Sequence, residues 1–232
     1  THLNTATLTG AKLTRTDLSG QDLSGMDLTG AIMRSTMLTG ANLAGATLTA
    51  ADLTGARLVG ANLVDAGLAQ TSLADADLNR ARLDGADLSR SNAAGAILAN
   101  ANLAGTMWAK ADLTEADLLG AQLAKADFTG AILTNAILSG ADLTGTTLRG
   151  ATLSEALLQQ ANLTGVDLTG SVMWYTNLTG AKLDNAKLHG VYLAGATLTD
   201  ATAATADLSG ATLAGASLIR TNLTGANLTT AY

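Results

Sequence analysis

Leucine recurs at every fifth residue from Leu3 to Leu228, and the spacing never slips. Forty of the 46 positions on this spacing are leucine. The six exceptions are Met33, Ala93, Trp108, Phe128, Met173 and Ala203. A period of five matches neither the 3.6 residues of an α-helix nor the 2.0 residues of a flat strand. The chain therefore repeats one short structural unit and tolerates no insertion.

Each unit has a fixed internal order, as in Ala161-Asn162-Leu163-Thr164-Gly165. Ala and Leu lie two residues apart, so they share one side of an extended segment, and the polar residue between them points away. The small polar residue and the glycine that follow are typical of a turn. A helix would carry many interior glycines at about 1 kcal/mol each. The pattern therefore predicts a coil of short strands and turns, with Leu and Ala inside.

The units "ADLTG", "ANLAG", "ADLSG" and "ANLTG" resemble the pentapeptide-repeat family, whose pattern is A-(D/N)-L-x-x. The resemblance covers essentially all 232 residues. It implies an all-β fold, a right-handed quadrilateral β-helix with four units per coil. We expect one uninterrupted domain over residues 1–232, about eleven and a half coils, and no capping helices.

The exceptions to leucine predict local repacking of the core. Trp108 and Phe128 are twenty residues apart, so they stack in neighbouring coils, and Ala93 offsets their volume nearby. An aromatic ligand site is the alternative interpretation of this pair. The outward positions predict two further features: a partial amide ladder on the face of Asn42, Asn62, Asn102, Gln122, Asn162 and Asn222, and aspartates in every second coil from Asp87 to Asp207.

A cluster of outward apolar and aromatic residues lies along one corner of the predicted coil. We call it the corner patch; it consists of Ile132, Ile137, Leu157, Val172, Trp174, Tyr175 and Tyr192. Exposed apolar patches are typical of contact surfaces, so a lateral protein contact is predicted here. The alternative is that these side chains lie along a threonine-rich wall without a partner.

Composition argues against most other classes of function. The two histidines, His2 and His189, are far apart in the stack, and cysteine is absent, so no catalytic, cofactor or metal site is predicted. Lysine and arginine total 13 and are scattered, which does not suggest direct nucleic-acid binding. No apolar run approaches the roughly 20 residues of a membrane helix. A non-enzymatic protein without a cofactor is expected.

Both ends of the chain keep the repeat, with Leu3 and Leu8 at the start and Leu223, Leu228 and Tyr232 at the end. A terminal coil exposes core and unpaired backbone. We therefore expect a rigid rod that assembles head to tail with itself, with another protein along an exposed face as a further partner. Two alternatives remain open. One is an acidic rod that mimics DNA and protects DNA gyrase, as the resemblance allows; the other is a repeat domain excised from a larger protein.

Overall fold

The computed structural model describes residues 8–232, so the predicted stacking residue Leu3 lies outside the described part. With one exception on face 3, described below, and apart from the final coil, the residue before each inward leucine pairs in parallel with the residue twenty positions later, as Asn42 does with Asn62. One coil therefore contains twenty residues and has four faces, as the family resemblance implied. We number the faces by their first described outward residue: Lys12 on face 1, Asp17 on face 2, Asp22 on face 3 and Asp27 on face 4.

The extended segments are shorter than the sequence suggested. Each face contributes one isolated bridge residue per coil rather than a continuous strand, and a two-residue turn separates consecutive faces. Backbone hydrogen bonds still join the coils on all four faces, for example from Leu43 N–H to Asn62 O at 2.7 Å. Residues 8–232 contain no helix, and hence no helix that could cross a bilayer.

The turns at the four corners share one backbone geometry. The residue after each turn donates to the inward residue before it, as Ala11 N–H does to Leu8 O at 2.9 Å. The second turn residue has a positive φ, between 52° and 74°, at every fifth position from 10 to 230. Left-handed backbone favours glycine, which explains why glycine is frequent there.

Leucine and alanine form one continuous core along the rod, as predicted. Trp108 and Phe128 are fully buried in leucine positions, with ring centroids 6.2 Å apart and planes 10° from parallel. The prediction that they repack the core is confirmed. The indole Nε1–H donates to the hydroxyl of buried Thr106 at 2.9 Å, and that hydroxyl donates to Leu103 O.

The outward aspartates and asparagines also hold the turns, a role that the sequence analysis missed. Their Oδ1 atom accepts the N–H of the residue two positions on, as Asp127 does from Thr129 at 2.9 Å. Only a side chain with one methylene group reaches this N–H, which explains why Asp and Asn dominate the position.

Candidate functional surfaces

Charge is distributed unevenly over the second half of the rod. On faces 1 and 2 and the corner between them, residues 131–232 contain one charged side chain, Glu155. Faces 3 and 4 and their shared corner contain six over the same length: Asp142, Asp167, Lys182, Asp184, Lys187 and Asp207. Beyond residue 130, the side formed by faces 1 and 2 is therefore nearly uncharged, and the side formed by faces 3 and 4 is charged.

The corner patch lies on the side with a single charge, Glu155, which occupies the same corner as Trp174 and Tyr175. Trp174, Tyr175 and Tyr192 are exposed, at 47%, 70% and 46% of their full accessible surface. Ile132 is also exposed, whereas Ile137, Leu157 and Val172 are half-buried.

The patch residues belong to three columns. Ile132, Val172 and Tyr192 are on face 1, where Thr152 separates the first two and Val172 pairs directly with Tyr192. Ile137 and Leu157 are neighbours on face 2. Trp174 and Tyr175 form the turn between the two faces.

Tyr175 is held by the glycine of the following coil. A Cβ atom on Gly195 would lie 2.5 Å from Cδ1 and Cε1 of the Tyr175 ring. Gly195 also has a φ of +69°. The close approach of the ring excludes a Cβ atom and the positive φ favours glycine, so the exposed ring rests on the backbone of its neighbour.

The two corners that flank face 1 carry opposite charges between residues 69 and 195. The corner that precedes the face carries Arg90, Lys110 and Arg149, which we call the basic corner. The corner that follows it carries Asp75, Glu115 and Glu155, which we call the acidic corner. All six side chains are exposed, and of these Arg149 makes an ion pair within the chain, with Asp167 at 3.3 Å.

The predicted separation of the aspartates is confirmed, and the predicted amide ladder is confirmed in part, since only Asn42 and Asn62 of its six members bond to each other. On face 3, Asn62 Nδ2 donates to Asn42 Oδ1 at 2.9 Å, and Asn42 donates to Asp22 at the same distance. The side-chain amide of Gln122 makes no hydrogen bond and so does not extend this ladder, although its backbone N–H donates to Ala101 O at 2.9 Å. On face 4, Met107 and Thr147 separate the aspartates at 87, 127 and 167, which keeps like charges apart.

The coils separate at one step of face 3, an opening that the sequence analysis did not predict. Within residues 8–232 every consecutive pair of outward residues on faces 2 to 4 forms a bridge except Gln122 and Asp142. The N–H groups of Gly120, Leu123 and Lys125 donate no hydrogen bond to the next coil. A cleft of about 300 Å³ opens there, lined by Ala121, Gln122, Leu123, Ala124, Asp142 and Thr144.

The opening lies one step beyond the stacked aromatic pair. The step that the rings span is closed, since Trp108 N–H donates to Asp127 O at 2.7 Å and Asp127 N–H donates to Thr106 O at 2.9 Å. Beyond Phe128 the backbone bond is longer: Thr147 N–H to Ala126 O measures 3.2 Å. Phe128 is larger than the leucine that usually fills its position and rests on Trp108, so we infer that its ring holds the next coil away.

The final coil presents its core at the end of the described chain. Leu223 is half-buried, and Leu228 and Tyr232 are exposed at 41% and 83%. The N–H groups of Leu218, Leu223 and Leu228 have no backbone acceptor. At the other end Leu8 is half-buried. The final coil therefore presents unpaired N–H groups and exposed leucine, the same groups that pair with the next coil elsewhere in the rod.

Several aspartates titrate below their usual range because of the turn hydrogen bonds. The Ser209 hydroxyl, and then the Ser209 N–H, lower the pKa of Asp207 from its ordinary value of 3.8. The pKa of Asp27 is lowered in the same way, first by the Thr29 hydroxyl. These carboxylates stabilise turns and remain ionised at neutral pH.

Groups suited to chemistry are scarce in the described residues. Residues 8–232 contain no cluster of His, Cys, Asp and Glu that would hold a metal ion. The His189 Nδ1 atom lies 3.0 Å from the Ser209 hydroxyl, a contact between neighbouring coils on the surface.

Comparison with known proteins agrees with this architecture. The family described as pentapeptide repeats matches the chain in overlapping segments at 1–40, 11–49, 37–70, 51–90, 61–98, 96–135, 136–174, 161–200 and 206–231. Among curated protein sequences none matches the chain significantly.

Two solved structures illustrate the range of likeness. HetL, a pentapeptide repeat protein involved in heterocyst differentiation regulation from the cyanobacterium Nostoc sp. strain PCC 7120, is 30% identical. The match covers 95% of this chain and 89% of HetL, with a TM-score of 0.57. QnrB1, a plasmid-mediated fluoroquinolone resistance protein, is 17% identical over 86% of this chain and 92% of its own, with a TM-score of 0.29.

The chain belongs to the pentapeptide-repeat family, and its fold is a right-handed β-helix. The family resemblance on the repeat units is thereby confirmed.

Proposed function

We propose that this protein is a non-enzymatic interaction rod, one uninterrupted β-helix that associates with copies of itself. The observation that carries the proposal is the uncharged surface of faces 1 and 2 beyond residue 130, with three exposed aromatic rings at its corner. Exposed aromatic side chains in such a setting are typical of protein interfaces. The regular backbone presents them on a rigid support at little conformational cost.

The corner patch supplies the lateral contact in this proposal. Trp174 and Tyr192 stand on adjacent coils and together offer a large apolar area, and no charge lies between them. Burial of such rings between two rods stabilises their association because it removes apolar surface from water.

The final coil supplies a second, end-to-end contact in the 232-residue chain. Its unpaired N–H groups and its exposed Leu228 suit the first coil of another copy, which would extend the β-helix. A head-to-tail contact of this kind does not close on itself and produces a filament. A coil supplied by a continuing chain would occupy the same surface, so this part of the proposal concerns the 232-residue chain itself.

Negative-stain electron microscopy of the purified chain at micromolar concentration tests the proposal. We expect long thin fibres about as wide as one rod or a small bundle. The double variant Trp174→Ser with Tyr192→Ser should reduce bundling and keep the β-type circular dichroism spectrum. Loss of that spectrum would show that the two rings belong to the core.

The DNA-mimic alternative has a distinct outcome in the same preparation. Arg90, Lys110 and Arg149 place positive charge along one corner of the rod, which does not favour a uniformly acidic surface. Monodisperse monomers that protect DNA gyrase in a supercoiling assay would overturn the self-assembly proposal.

A further inference from the structure

We infer that two copies of this chain pack side by side in parallel through face 1, related by a two-fold axis that runs along the rod. The inference rests on the proposed self-association and names its lateral geometry. It follows from the opposite charges of the basic and acidic corners and from the nearly uncharged face between them.

The charges on the two corners are separated completely by sign. From residue 69 to residue 195, every charged side chain on the corner before face 1 is basic and every one on the corner after it is acidic. Face 1 itself carries one charge over this length, Asp112. Face 4 is preceded by a corner of mixed sign, with Asp84, Lys125 and Asp184, and places Asp87, Asp127, Asp167 and Lys187 outward, so it is a poorer surface for self-contact.

Only a parallel arrangement uses this separation. A two-fold axis along the rod places the basic corner of each copy against the acidic corner of the other, at both edges of the interface. A two-fold axis across the rod makes the copies antiparallel and brings like corners together. Like charges in contact oppose association, and opposite charges favour and orient it.

The heights of the charges agree with the parallel arrangement. Lys110 and Glu115 are five residues apart, a quarter of a coil, which corresponds to roughly 1 Å along the rod. Arg149 and Glu155 differ by about the same height. Arg90 and Asp75 differ by three quarters of a coil, roughly 4 Å, which long side chains can span.

The corner patch is divided by this geometry. Ile132, Val172 and Tyr192 meet their own copies across the two-fold axis, as residues on the axis of a symmetric dimer do. Trp174 reaches the small residues Thr169 and Gly170 of the other copy, which lie at nearly the same height. Ile137 and Leu157 remain outside because they are on face 2.

Within residues 69–195 Asp112 is the one unfavourable contact, because it faces its own copy at the axis; Lys12 and Asp52 on the same face do so nearer the start of the rod. The variant Asp112→Asn keeps a side-chain oxygen for the N–H of Thr114 and removes the charge. We expect it to tighten the dimer at least twofold in sedimentation equilibrium. Weaker association of this variant would contradict the arrangement.

Charge reversal gives the decisive test by analytical ultracentrifugation at low salt. Lys110→Glu with Arg149→Glu makes both edges acidic, and Glu115→Lys with Glu155→Lys makes both edges basic. Each double variant should associate at least tenfold more weakly than the wild type. An equimolar mixture of the two should restore association, because each edge again joins opposite charges. A mixture that stays monomeric would overturn the inference.

Cross-linking identifies the face through which the two copies meet. The chain has no cysteine, so Thr152→Cys on face 1 introduces a single thiol near the axis. We expect rapid disulfide-linked dimers on mild oxidation. The control Thr147→Cys, half-buried like Thr152 but on face 4, should not cross-link. Equal cross-linking of the two, or cross-linking of the control alone, would contradict the model of a face 1 dimer.

The inference and the proposed function fail differently. If the wild type forms fibres or dimers but the mixed variants stay apart, the parallel geometry is wrong and self-association stands. If the wild type remains monomeric up to about 100 μM, both are wrong. Two matched double variants distinguish face 1 from face 2. Val172→Ser with Tyr192→Ser changes face 1 and should weaken the dimer. Ile137→Ser with Leu157→Ser changes face 2 and should not.

Discussion

Two steps of face 3 differ although they are built from the same repeat. At Asn42 and Asn62 the coils are joined by a backbone bridge and by an amide hydrogen bond of 2.9 Å. At Gln122 and Asp142 both are missing, and a cleft of about 300 Å³ takes their place. Leu63 and Leu123 behind the two outward residues are equally buried. The cause therefore lies elsewhere in the coil.

The difference teaches that the spacing of coils depends on what fills their interior. Aliphatic leucines fit the backbone rise, whereas Phe128, stacked on Trp108 on the adjoining face, is larger than leucine and holds the next coil away. The N–H groups of Gly145 and Asp167 in the following coil also lack a backbone acceptor. The strain therefore reaches neighbouring coils, as expected of a solenoid in which each coil contacts only its neighbours.

The largest expected effect comes from truncating the inward leucine at each step. Leu63→Ala should lower the free energy of unfolding by about 2–5 kcal/mol, because it leaves a cavity in a closed core. Leu123→Ala should cost clearly less, because water in the cleft can fill part of the space. Urea unfolding monitored by circular dichroism measures both. Equal losses would show that the cleft is closed in solution.

The second prediction is that replacing Phe128 by leucine closes the step between Gln122 and Asp142. Phe128→Leu removes the stacked pair, so the coils should approach and the Leu123 N–H should regain its acceptor. We expect its hydrogen exchange to slow at least tenfold. The Leu63 amide provides the control and should not change. Unaltered exchange at Leu123 would mean that the aromatic pair does not cause the opening.

The third prediction concerns the outward residues themselves. Asn62→Ala removes the bond to Asn42 and the longer turn bond from Val64 N–H at 3.4 Å, and should cost about 1 kcal/mol of unfolding free energy. Gln122→Ala removes no hydrogen bond and should change stability by no more than about 0.5 kcal/mol. A similar loss at both positions, measured by urea unfolding, would indicate that Gln122 has a partner in solution.

The smallest expected effect is a pH dependence of folding stability that comes from Asp207. This residue lies at a regular step of face 4, where Asn227 Nδ2 donates to Asp207 Oδ1 at 3.0 Å. The Ser209 hydroxyl holds the folded pKa of Asp207 below its ordinary value of 3.8. The ionised group therefore stabilises the fold above that value, and the contribution is lost as the pH falls through the folded pKa. Thermal unfolding of Asp207→Asn between pH 6 and pH 2 should show a shallower acid loss than the wild type. An identical slope would exclude this contribution.

The candidate surfaces were only partly predictable. The corner patch follows from outward positions in the repeat, because the coil of twenty fixes which residues are neighbours. The cleft does not, since it depends on how far a rigid ring pair lifts one coil from the next. The turn role of Asp127 and the support of Tyr175 by Gly195 depend on side-chain directions that a spacing rule does not contain.

The sequence by itself determined the period and the inward leucines, because one short unit repeated in strict register buries its apolar positions on one side, and the family resemblance implied the four faces. The tertiary structure alone decided where the ladder breaks and how the aspartates bind the turns. These outcomes depend on distances of a few tenths of an ångström between neighbouring coils, and such distances are set by packing rather than by pattern.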